Sequence, residues 1–207
     1  MESQAPRVIG LTGGIASGKS CARKMFEDFH VPCIDIDTLS RSIHQNPRHP
    51  VCAELRHVFP EQMNSDGALN RGSLRHYFSL FPAANQILKN ILKPYVMQEV
   101  LAWTSGQSSP YVIWESALII EDKMLNGFSV KLTRTLLVNA SFENQLVRLG
   151  IRCPDWSDEE RRRVIALQLT FAQMRQFADD LIENNADLQS LKKQVAYWHQ
   201  RYLKLEA

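Results

Sequence analysis

The residues best suited to chemistry lie early in the chain, in Gly13-Gly14-Ile15-Ala16-Ser17-Gly18-Lys19-Ser20. Their G-x-x-x-x-G-K-[ST] spacing suits a polyphosphate. Glycines let successive backbone N–H groups turn inward as an anion nest, and a helix starting at once behind them adds positive potential. In such a loop Lys19 reaches the β- and γ-phosphates and the Ser20 hydroxyl holds Mg²⁺. The expected nucleotide-binding set is Gly13, Gly14, Ile15, Ala16, Ser17, Gly18, Lys19, Ser20 and Cys21. A glycine-rich turn with an accidental Lys-Ser is the competing reading. Context weighs against it, because the stretch follows the apolar run Val8-Ile9-Gly10-Leu11 and precedes a helical pattern.

Acidic residues follow in Val31-Pro32-Cys33-Ile34-Asp35-Ile36-Asp37, which reads as a second strand. Alternation puts Asp35 and Asp37 on one face and Ile34 and Ile36 on the other. Asp37 stands nearer the carboxyl end, where open α/β sheets bind ligands. A carboxylate there can orient an acceptor hydroxyl and take its proton; it can also cap the helix that begins at Thr38. Asp35 stands deeper and suits the magnesium shell or the loop. Arg41, one turn into that helix, is either an anion ligand or a solvated charge.

The elements that must position these groups alternate. A helix is expected over 19–29, after the first strand. Residues 38–106 read as helices broken at Asn46-Pro47 and Phe59-Pro60, with a turn at Ser65-Asp66-Gly67. The last of them, 83–103, should bend near Pro94. Strand patterns return at 111–114 and 133–138, and a helix at 142–149. Ser157-Asp158-Glu159-Glu160 is a capping box opening a helix towards Phe177. A short strand near 181–182 and a helix over 188–202 complete the pattern. Strands alternating with helices predict a parallel sheet covered on both faces. The helical stretch is too long for a simple crossover and should form a subdomain above the sheet's carboxyl edge.

Composition narrows the class. Lys+Arg 24 against Asp+Glu 22 gives a formal net charge of +2, too balanced for a protein that coats nucleic acid. No apolar run spans a bilayer and the start is not a signal peptide, so a cytoplasmic protein without a membrane partner is expected. Cys21, Cys33, Cys52 and Cys153 form no CxxC pair and read as reduced thiols. His44 and His49, flanking Asn46-Pro47-Arg48, read as solvated loop residues. Neither Asn-Lys-x-Asp nor Asp-x-x-Gly after the second strand occurs, which excludes a GTPase switch.

Taken with Val31 to Arg41, the loop resembles the dephospho-coenzyme A kinase family, which pairs T-G-G-I-x-S-G-K-[ST] with D-x-D-x-x-x-R. Further matches follow in order: Asp66-Gly67-Ala68-Leu69-Asn70-Arg71, Leu118-Ile119-Ile120-Glu121, Gln145-Leu146-Val147-Arg148, and Ala178 to Asn185 for A-D-x-[VI]-I-x-N. The chain departs from the pattern at Cys21, at Lys93, at Ala117, at Cys153 and at Phe171-Ala172, where the family carries Arg-Glu near the nucleotide.

The resemblance implies an α/β, three-layer P-loop kinase with a five-stranded parallel sheet, a helical acceptor-binding insertion and a lid. The implied division is a core of 1–37, 107–149 and 178–207, an insertion of 38–106 and a lid region of 150–177. It implies transfer of the γ-phosphoryl of ATP, with Mg²⁺, to the 3′-hydroxyl of dephospho-coenzyme A. Asp37 becomes the catalytic carboxylate, with Lys19, Arg148 and Arg152 at the phosphates or, for the two arginines, as surface lid charges. Arg41, Arg75 and Glu121 fall on the acceptor side. Glu115, where the family usually has Asp, either holds a magnesium-bound water with Ser20 and Asp35 or is a buried, capped acid. The implied partners are small-molecule substrates and no nucleic acid, with a monomer or weak homo-oligomer. Alternatives are another small-molecule or nucleoside monophosphate kinase, or a non-catalytic nucleotide binder.

Overall fold

Five short apolar runs become the strands β1 (Arg7–Thr12), β2 (Cys33–Asp35), β3 (Tyr111–Glu115), β4 (Arg134–Asn139) and β5 (Asp180–Glu183). The computed structural model describes residues 5–126 and 131–205. The sheet order is β2-β3-β1-β4-β5, and β1 runs parallel to both β3 and β4, as β4 does to β5. Side chains alternate across the sheet. On one face Ile9, Leu11, Tyr111, Ile113, Leu136, Val138 and Ile182 meet helices α1 (Lys19–Asp28) and α10 (Leu188–Leu203), through Ala22, Phe26, Val195 and Tyr202. On the other, Leu137 packs with Ile120, Met174 and Ala178, next to α6 (Ile119–Asn126). The result is the expected three-layer α/β arrangement with a five-stranded parallel sheet.

The chain divides into two compact units, Met1–Ile34 with Gln107–Ala207, and Asp35–Gly106. The second is helical, with α2 (Ile36–Gln45), α3 (Val51–Val58), a 3-10 turn (Pro60–Gln62), α4 (Arg71–Leu80) and α5 (Ala83–Ser105), apart from an isolated antiparallel bridge between Met63 and Leu69. Its buried residues include Ile43, Leu55, Phe59, Leu69, Leu92 and Val100. Pro94 lies inside α5, and the helix continues through it.

Four local expectations need correction. The second strand stops at Asp35 rather than Asp37, because Asp35 caps α2 and so turns Ile36 and Asp37 into helix. His44 is not a solvated loop residue; it lies in α2 and is buried. The helix opened by the Ser157 capping box is α8 (Asp158–Ala166), and it does not run on towards Phe177. A second capping box, Thr170 with Gln173, starts a separate helix, α9 (Phe171–Arg175). The preceding helix, α7 (Phe142–Arg152), also outruns its expected end.

Candidate active site

β1 runs into the glycine-rich loop, which needs backbone that only certain residues tolerate. Gly13 has φ 148° and Gly18 φ 103°. A Cβ at Gly13 would collide with the Val138 carbonyl, and one at Gly18 with the Asn184 side chain, so glycine is required sterically as well as conformationally. Between them Ala16 sits at φ 55°, and Ser17 N–H closes a turn on the Gly14 carbonyl at 3.2 Å.

The carbonyls of the loop are held from several segments. Lys19 Nζ donates to Gly13 O and Gly14 O at 2.7 and 3.0 Å. Gln145 Nε2 donates to Ile15 O at 2.9 Å. Arg148 Nη1 donates to Ala16 O and Ser17 O at 3.3 and 3.2 Å, while its Nη2 donates to Asn184 O at 2.8 Å. Asn184 Nδ2 completes the set on Ser17 O at 2.8 Å. In a trans peptide each C=O points away from the following N–H, so carbonyls held this way aim loop N–H groups in the opposite direction. An anion nest needs that arrangement. One such N–H, that of Ile15, donates to Gln168 Oε1 at 2.6 Å, a neutral oxygen where a phosphate oxygen can also bind.

Behind the loop, α1 carries Lys19, Ser20 and Cys21 at its start. Ser20 Oγ donates to Glu115 Oε1 at 2.9 Å. Glu115 ends β3, is buried, and accepts from Arg23 Nε at 2.6 Å through its other oxygen. Arg23 also pairs with Glu27. Burial disfavours the Arg23 cation, but hydrogen bonding to Glu115 and the charges of Glu27 and Glu115 outweigh it and raise its pKa. Burial likewise pushes the neighbouring Cys33 thiol up, leaving it protonated. A hydroxyl that gives its proton to a carboxylate keeps its lone pairs for a cation. These are hard oxygen donors of the kind magnesium takes, so Ser20 and Glu115 fit that ion.

The structure gives the other candidates varied surroundings. Asp35 acts as a helix cap: Oδ1 accepts from Thr38 N–H at 2.8 Å and Oδ2 from Thr38 Oγ1 at 2.9 Å. The capping role expected at Asp37 therefore falls on Asp35. Asp37 lies in the first turn of α2, partly exposed. Arg41 folds back on its own helix, with Nε on Asp37 O at 3.0 Å and Nη2 on Thr38 Oγ1 at 2.9 Å. Arg75 is exposed on α4. Glu121 lies in the first turn of α6, and Arg152 is exposed at the end of α7. Arg148 holds loop backbone, a position its sequence motif did not reveal. Gln145, Gln168 and Asn184 act on the loop from segments 130, 153 and 167 residues away. The motifs that contain Gln145 and Asn184 were visible, but no local pattern announced these contacts.

Beside Gly14 a cavity of about 420 Å³ opens between the starts of α7 and α9. Phe142, Gln145, Gln168 and Phe171 line it, so the position where the resemblance implies an arginine borders this space.

A parallel sheet whose first strand feeds a glycine-rich loop and a Lys-Ser helix start, with a strand-end acid on the serine hydroxyl, defines a P-loop kinase. The family model described as dephospho-CoA kinase matches residues 7–190. The chain belongs to the dephospho-CoA kinase family. It is 34% identical over 199 residues to the dephospho-CoA kinase of Hahella chejuensis, covering 96% of this chain and 93% of that one. A Thermus thermophilus crystal structure superposes with a TM-score of 0.81 at 27% identity, over 96% of this chain and 98% of the other. The dephospho-CoA kinase of Campylobacter jejuni shares the fold, with a TM-score of 0.60 at 16% identity over 96% and 98% of the two chains.

Proposed function

We propose that this protein transfers the γ-phosphoryl group of ATP to the 3′-hydroxyl of dephospho-coenzyme A, giving coenzyme A and ADP. The observation that carries the proposal is the phosphate loop, held at every carbonyl from Gly13 to Ser17 in a chain that matches this family over nearly its full length.

The loop N–H groups and the start of α1 hold the phosphates of ATP. Lys19 leaves the Gly13 and Gly14 carbonyls to meet charge growing on the β–γ bridge. Ser20 would hold magnesium, with Glu115 behind it through a metal-bound water, and the ion would neutralise phosphate charge. Asp37 orients the acceptor hydroxyl and takes its proton as the new O–P bond forms and the bond to ADP breaks. Arg148 acts by fixing the loop, Arg152 meets the phosphates from the lid region, and Arg41, Arg75 and Glu121 bind the acceptor. Residues 38–106 form the acceptor-binding insertion and residues 150–177 the lid region. The four cysteines are free, which suits action in the reducing cytoplasm. Purified protein supplied with ATP, magnesium and dephospho-coenzyme A should release ADP and coenzyme A in equal amounts. ADP release without coenzyme A would overturn the proposal.

A further inference from the structure

Glu115 binds through both oxygens, and its second partner is a cation that belongs to the protein. Arg23 Nε reaches Oε2 at 2.6 Å while Ser20 Oγ reaches Oε1 at 2.9 Å. The Glu115 side chain is 5% exposed and that of Arg23 20%, so this is a largely buried pair. Arg23 stands one turn beyond Ser20 on α1, on the same helix face. A buried carboxylate left without a counter-charge is strongly unfavourable. A divalent cation on the Ser20 hydroxyl supplies the same compensation, from the Oε1 side.

We infer that Arg23 is the resident counter-cation of Glu115 and sets how tightly the Ser20–Glu115 pair takes magnesium. It holds the Glu115 carboxylate in place when no metal is bound. It also draws charge from the carboxylate and repels a second cation across it. The pair then holds magnesium weakly by itself, so the ion arrives and leaves as a complex with nucleotide phosphates. Arg23 acts through Glu115 and touches neither substrate, so its role is positional. This inference rests on the magnesium reading proposed above.

Thermal unfolding with magnesium chloride alone, without nucleotide, tests it. Arg23→Gln keeps a donor to Oε2 but removes the charge. This variant should melt lower than the unmodified protein, yet respond to magnesium at about tenfold lower concentration, as loss of one nearby positive charge requires. Arg23→Lys keeps the charge and should respond at the unmodified protein's concentration, which keeps the test open even where Arg23→Gln folds poorly. An Arg23→Gln response no stronger than that of the unmodified protein, or a tenfold shift in Arg23→Lys, overturns the inference. Calorimetry of ADP binding to the unmodified protein separates the two readings. Binding that ignores magnesium overturns the Ser20–Glu115 assignment itself, whereas magnesium-dependent binding with an unresponsive Arg23→Gln overturns only the role of Arg23.

Discussion

The Ser20 hydroxyl donates to the Glu115 carboxylate at 2.9 Å, tying the end of the phosphate loop to the end of β3 across 95 residues of sequence. The serine therefore offers lone pairs, not its proton, to whatever cation approaches. Ser20→Ala and Glu115→Gln should each raise the magnesium concentration for half-maximal turnover by about tenfold or more. Titration of activity with magnesium at saturating ATP measures this. An unchanged requirement in both variants contradicts the assignment.

Lys19→Ala should lose turnover by ~10²-fold or more while the protein stays folded, because the lysine meets transition-state charge. Circular dichroism and steady-state rates together make the check. Full turnover in a folded variant contradicts the phosphate-loop reading.

The two neighbouring aspartates should separate cleanly. Asp37→Asn should cut turnover by ~10²–10⁴ with nucleotide affinity nearly intact. Asp35→Ala should instead lower stability by about 1 kcal/mol, the usual loss of a helix cap, and leave turnover within a few-fold. Denaturant unfolding beside kinetics distinguishes them. Abolished turnover in Asp35→Ala at unchanged stability would reverse the roles.

Gln168 joins the stretch after α8 to the Ile15 N–H. Gln168→Ala should release that stretch and speed protease nicking within 153–170 in the absence of ligand. ATP with acceptor should slow nicking in the unmodified protein. Equal nicking under all conditions argues for a static segment.

Much of this was legible in the chain. The Val8 to Leu11 run, the glycine loop and the helix at Lys19 follow from local chemistry, and so does the Ser157 capping box. At Asp35-Ile36-Asp37-Thr38 two local signals compete. Strand alternation favours two aspartates on one face, while the Asp35 carboxylate satisfies Thr38 N–H and wins. The break before Phe171 was also present, as Thr170 with Gln173, but apolar periodicity masked it. The holds of Gln145, Gln168, Arg148 and Asn184 on loop carbonyls and N–H groups depend on segments far apart in sequence, so no window of the chain contains them. Arg23 is different: its three-residue spacing from Ser20 was a usable signal for a shared helix face.

The most direct test of the central claim compares acceptors. ADP release is measured with ATP and, in turn, dephospho-coenzyme A, AMP, CMP and adenosine at equal concentration. Dephospho-coenzyme A should turn over fastest, with its product phosphorylated at the 3′ position. Faster turnover of AMP, CMP or adenosine would contradict the account.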